Sequence, residues 1–257
     1  MHFMFDVGLL PILTITFFIL VAWLITKPHK PAALATDFRS PRTEAVTAIG
    51  VVIAIFVAIA LFFSLFQRSI AQIMGASGEI GVAALVFGWT FYASFFFVPL
   101  FAVLRVKHQR LGSIGITGKN LKFSLITGAA LSALWLAIGF SVSPHSLAQV
   151  FTASSFYSLF YYTAIGFGEE LLFRGYLQHR CSAWLGATEG LIVSSIIMAF
   201  AHVPQRIFVV GLSPTEAVMG SAFLTPLSIF LGLIFLRTQN VIGPSVFHTI
   251  LDFANTL

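Results

Sequence analysis

Charge is what this chain has least of. Only 9% of its 257 residues are Asp, Glu, Lys or Arg, with 9 acids against 14 bases. A soluble domain carries about 25% charged residues, so there is too little polar surface here to cover one. A chain that is 58% hydrophobic is equally far from the composition of disorder. Cysteine is nearly absent as well: Cys181 stands alone, which excludes an internal disulfide. No Lys or Arg occurs in residues 1–7, so the first apolar run lacks the basic start of a cleavable signal peptide and is expected to be a retained span. No basic stretch interleaved with aromatics is found either, and no nucleic-acid partner is expected.

What the chain has instead is long apolar runs, 29 Phe and a mean hydropathy of +0.96. A spanning helix needs about 20 mostly apolar residues. Runs of that kind cover 8–26, 45–66, 80–104, 121–142, 155–180, 187–203, 217–236 and 241–256. The expected fold is an all-α polytopic membrane bundle of about eight helices. The net charge of +5 is concentrated between runs. Lys27, Lys30, Arg39 and Arg42 lie in loop 27–43, and Arg105, Lys107, Arg110, Lys119 and Lys122 in loop 105–122. Excess basic charge marks the cytoplasmic side, which places both loops there and the N-terminus outside. A multi-pass protein of the cell membrane follows.

The two halves differ in polarity. Residues 1–150 read as plain spans, whereas Glu169, Glu170, Glu189, Glu216 and Asp252 all fall in 155–257. Glu189 and Glu216 suit helix starts, Glu216 behind Ser213 and Pro214. The others lie inside apolar runs, where an ionisable side chain costs several kcal/mol and points to function by default. Glu170 and Arg174 are four residues apart and share a helix face, so the cation can hold that carboxylate ionised. Glu169 points about 100° away and is expected to lack that partner, which makes it a candidate general base. His202 closes another apolar run. His248 and Asp252 are again four apart, so Asp252 can orient His248 through a hydrogen bond.

Two chemistries fit such a set. Two histidines and a carboxylate are a common zinc set, although the HExxH spacing of zinc proteases is absent. Alternatively Glu169 and His202 activate a water for attack on a peptide carbonyl, and His248 supports the oxyanion. A non-proteolytic immunity or scaffold protein and an ion or proton pathway through the buried acids are the rivals outside peptide hydrolysis.

Taken together, Glu169-Glu170-x-x-x-Arg174, a His ending an apolar helix, and His248-x-x-x-Asp252 resemble the CPBP family. That group comprises type II CAAX prenyl endopeptidases, bacteriocin-processing proteases and abortive-infection membrane proteases. The resemblance covers about residues 105–257, including the Leu111-Gly-x-x-Gly115 lead-in, with 1–104 as N-terminal transmembrane helices. It implies a glutamate-dependent intramembrane endopeptidase with no metal or other cofactor. Its substrate would be a peptide or membrane-anchored protein, prenylated tails included. By that resemblance Glu169 is the base, His202 helps activate the water, Glu170 and Arg174 support, and His248 with Asp252 forms the oxyanion side. The chain departs from the family pattern twice. Met198 stands where Phe is frequent, with Phe200 as a possible replacement in packing. Asp252 stands where Asn is frequent, and an ionised Asp cannot donate to an oxyanion. With helix ends drawn at 155–180 and 187–203, Glu169, His202 and His248 fall at different depths, so those ends must shift or the helices tilt.

Overall fold

The computed structural model describes residues 9–29, 33–34, 38–74, 80–142, 150 and 152–256. Among the described residues ten helices follow one another: α1 (Leu9–Thr26), α2 (Pro41–Met74), α3 (Val82–Val106), α4 (Leu121–Val142), α5 (153–185), α6 (Ala187–Ala201), α7 (Val203–Phe208), α8 (Pro214–Ala222), α9 (Thr225–Thr238) and α10 (Ile242–Ala254). A 3-10 turn, Leu111–Ile114, precedes α4. Among the described residues, five stretches are long and apolar enough to cross a membrane, and they lie in α2, α3, α4, α6–α7 and α8–α9. The protein is an integral membrane helical bundle, as the composition requires.

Proline sets several of the breaks. Pro204 stands in the first turn of α7, two residues after His202, and Pro226 in the first turn of α9, whose start divides the expected 217–236 span in two. Ser213 and Glu216 form a reciprocal capping box at the start of α8. Within α3, Pro99 has no N–H to give and its ring crowds the carbonyl one turn back. The chain answers with a π-helical turn, Ala93–Phe97, closed by a hydrogen bond from the Val98 N–H to the Ala93 carbonyl.

α5 is the central rod, packed by α2, α3, α6 and α10. One apolar core joins α2, α3 and α5 through Phe63, Phe96, Leu172 and Phe173. A second joins α1, α4, α9 and α10 through Phe18, Leu131, Phe230 and Phe247. α4 and α10 approach until backbone touches backbone. A Cβ at Gly128 would strike the Gly243 carbonyl oxygen and stand 2.9 Å from Gly243 Cα.

Both basic loops meet at one end of the bundle. Lys107 Nζ donates to Glu44 Oε1 at 2.8 Å, and Arg180 Nε lies 3.7 Å from Glu44 Oε2. Arg180 and His179 are both buried. His179 Nδ1 lies 2.9 Å from the Ser113 carbonyl oxygen, and the Arg180 guanidinium sits 4.0 Å over Tyr176 and 5.0 Å from Phe38.

The depth conflict disappears with the true helix ends. α5 runs to Leu185 and turns at Gly186, whose φ of +102° is one that side-chain-bearing residues rarely adopt. Glu169 stands 17 residues before that turn and His202 16 after it, so the two arms bring them level. The start of α10 is also tucked in: Asn240 and Val241 are fully buried. The loop before α4 covers them, with Asn240 Nδ2 donating to the Thr117 and Lys119 carbonyls and the Val241 N–H to Gly115.

The α4–α10 contact yields a direct expectation. Gly128→Ala should lower the unfolding temperature in detergent by the equivalent of about 1–3 kcal/mol, the cost of overpacking rigid backbone. Gly139→Ala on the same helix, where a Cβ meets nothing within 4 Å, should leave it unchanged or slightly raised.

Candidate active site

The site grows from the spacing Gly166-x-Gly168-Glu169-Glu170 on α5. At 100° per residue the two glycines lie on nearly opposite sides of the helix. Gly166 faces α10, where a Cβ would stand 2.9 Å from the Thr249 backbone nitrogen and 3.0 Å from the Ser245 carbonyl oxygen. Gly168 faces α3, where a Cβ would stand 2.5 Å from Tyr92 Cδ1. The interlock with α3 is reciprocal, because the Tyr161 ring lies where a Cβ at Gly88 would approach within 2.5 Å. Glu170 is one turn from Gly166 and is delivered to α10. Glu169 follows Gly168 and is delivered between α3 and α6.

Each carboxylate therefore has its own partners. Glu170 is fully buried, with Oε2 3.2 Å from Arg174 Nε and Oε1 3.0 Å from His248 Nδ1. Arg174 is fully buried too, and its N–H groups make no well-aligned hydrogen bond among the described residues. Its contact with Glu170 is held by charge more than by hydrogen-bond direction. The other nitrogen of His248, Nε2, lies 3.5 Å from Asp252 Oδ2, a looser contact. Asp252 was expected to be the group that orients His248, but Glu170 is the nearer carboxylate. Asp252, one helical turn on, is the more exposed of the two, with 27% of its side chain accessible against 0% for Glu170.

Glu169 accepts a hydrogen bond on Oε1 from the Tyr92 hydroxyl at 2.9 Å. Its Oε2 is buried, has no hydrogen-bond partner among the described residues, and faces His202 Nε2 at 3.7 Å. His202 caps the C-terminus of α6, and its Nδ1 lies 2.9 Å from the Met198 carbonyl oxygen. A carbonyl only accepts, so Nδ1 carries the proton and donates. The residue at position 198 thus contributes its backbone, which Met supplies as well as Phe. The Met198 side chain packs on α9, with its sulfur 3.2 Å from Ser228 Oγ. Phe200 does not take over the packing, since it is 41% exposed.

All six residues singled out in the sequence lie in two linked groups: Glu169 with His202, and Glu170 with Arg174, His248 and Asp252. Tyr92 is the member that composition did not disclose, because 80–104 reads as a plain span. A signal was available: a tyrosine deep in an apolar helix needs a partner for its hydroxyl. The donor chemistry gives a metal little to hold. His202 Nδ1 is committed to a carbonyl, both His248 nitrogens face carboxylates, and Glu170 faces a guanidinium. Glu169 Oε2 and His202 Nε2 face each other 3.7 Å apart, whereas zinc takes four ligands.

Residues 150–254 match the family model described as type II CAAX prenyl endopeptidase, Rce1-like. The matched segment is about two-fifths of the chain, holds every one of the six residues, and is similar to the CAAX-protease family. No curated protein and no solved structure matches the chain. That segment thus resembles CAAX-type membrane proteases, and it sits in a bundle whose apolar helices are long enough to cross a membrane.

The Glu170–Arg174 pair supplies a stability test. Removing one partner of a buried pair strands the other and costs about 3–5 kcal/mol. Arg174→Met should lower the unfolding temperature in detergent accordingly, and adding Glu170→Gln to that variant should recover much of the loss.

Proposed function

We propose that this protein is a CAAX-type intramembrane protease that hydrolyses a peptide bond with a water activated by Glu169 and His202. The supporting observation is the pair of acceptors that face each other, Glu169 Oε2 and His202 Nε2, 3.7 Å apart. Neither can donate to the other while the imidazole is neutral. A water between them donates one hydrogen to each, which orients its oxygen lone pair outward. That oxygen attacks the scissile carbonyl carbon as one of its protons passes to Glu169. The proton then goes to the departing amine nitrogen when the C–N bond breaks, restoring Glu169 and leaving a carboxylic acid and an amine. The acid's proton, the second from the water, then passes to the amine to give carboxylate and ammonium.

The negative charge on the carbonyl oxygen needs a donor. His248 fits that role through Nε2–H, since its contact with Asp252 is loose enough to be exchanged for an oxyanion, while Glu170 holds the ring by Nδ1. Asp252 in this account positions His248 and does not itself donate. Arg174 holds the other oxygen of Glu170, which fixes the carboxylate and with it the imidazole orientation. The reaction needs no metal. The basic loops gathered at one end favour an orientation with that end in the cytoplasm, in the cell membrane. A prenylated C-terminal tail is the favoured substrate, on the strength of the family match to residues 150–254.

The test uses the full-length protein in liposomes with a quenched fluorescent peptide ending in a prenylated CAAX sequence. Glu169→Gln and His202→Ala should each lower the cleavage rate by about 10²–10⁴, the usual contribution of a general base, with unfolding temperature held. Strong chelators should leave the wild-type rate unchanged. Full activity in Glu169→Gln, or loss with chelator and return with zinc, contradicts the mechanism.

A further inference from the structure

Tyr92 lies outside the segment that the family model matches, on a largely apolar helix. It is buried, and its hydroxyl lies 2.9 Å from Glu169 Oε1. Resting on the mechanism above, we propose that Tyr92 is a positioning residue of the reaction: its hydroxyl holds one oxygen of Glu169 so that the other faces His202 as the base.

Three observations carry this. The first is the division of the carboxylate. Oε1 accepts from Tyr92, and Oε2 has no hydrogen-bond partner among the described residues and faces His202 Nε2. A carboxylate gripped at one oxygen cannot spin about its terminal bond, so the same oxygen is always presented. The second is that the ring is built into place. Gly168 leaves room for it beside Glu169, and Phe96 lies against it with ring centroids 4.6 Å apart. The third is the backbone. Tyr92 is the last α-helical residue before the π turn at Ala93–Phe97, which Pro99 favours, and π turns recur at functional sites. The ring sits where the helix changes winding, and the turn sets the direction from which the hydroxyl arrives. A phenol is also a fitting donor here, because it brings a proton to a buried carboxylate without bringing a second charge.

A tyrosine that merely fills space predicts that Tyr92→Phe is silent. The inference predicts otherwise. Tyr92→Phe keeps the ring against Gly168 and Phe96 but leaves Glu169 free to turn. Its kcat on the liposome peptide should fall roughly 10- to 100-fold, as expected for a lost hydrogen bond to a charged group, with KM within about twofold of wild type. The contact itself is read separately from catalysis by a thermal double-mutant cycle of Tyr92→Phe with Glu169→Met. Non-additivity of roughly 3 °C or more shows that the two side chains are coupled. Coupling together with the kcat loss supports the inference. Wild-type kcat in Tyr92→Phe, in an enzyme that Glu169→Gln inactivates, overturns it and leaves the mechanism standing. Additive unfolding temperatures overturn it as well. Activity that persists in Glu169→Gln removes the mechanism and this inference with it.

Discussion

A carboxylate stripped of water needs a partner for its charge, and two adjacent carboxylates cannot share one. That constraint organises this molecule. Glu169 and Glu170 leave the same helix 100° apart, and the protein answers with different partners on different helices. Glu170 takes the guanidinium of Arg174 and the imidazole of His248, so its charge is met on both oxygens. Glu169 takes a neutral hydroxyl on one oxygen and keeps the other for His202. One carboxylate meets positive or polar partners on both oxygens and the other is left half-engaged, and the proposed mechanism gives the reactivity to the second.

The packing follows from the same need. Gly166 and Gly168 let α10 and α3 come close to α5 on opposite sides, so that His248 and Tyr92 reach the two acids. The near-equal arms on either side of Gly186 bring His202 level with Glu169. The burial of Asn240 and Val241 beneath the loop before α4 lowers the start of α10 until His248 is level as well. The polar cluster of Glu44, Lys107 and Arg180 ties α2, the end of α3 and α5 at one end of the bundle. It holds the rods in register without entering the chemistry.

Much of this was legible in the chain. The eight apolar runs correspond to the eight helical rods, some of them broken by proline, because bilayer thickness and hydrophobic length leave few alternatives. Glu169, Glu170, Arg174, His202, His248 and Asp252 were legible because ionisable groups in hydrocarbon are expensive and therefore conspicuous. The partnership between Glu170 and His248 was hidden, since an i,i+4 rule finds Asp252 on the same helix but sees nothing across helices. Tyr92 was hidden for the opposite reason: an aromatic residue in an apolar run costs little and attracts no notice until its hydroxyl is placed. The extension of α5 to Leu185 was hidden because Arg180 resembles a helix end by charge, yet it is buried under Phe38 and Tyr176.

The central claim is that Glu169 offers one oxygen, jointly with His202, to a single water. A high-resolution cryo-electron-microscopy map of the protein in lipid nanodiscs tests it most directly. The account predicts a solvent peak within about 3 Å of both Glu169 Oε2 and His202 Nε2, with the Tyr92 hydroxyl on Oε1. Glu169 turned onto Arg174, or facing acyl chains with His202 elsewhere, would contradict it.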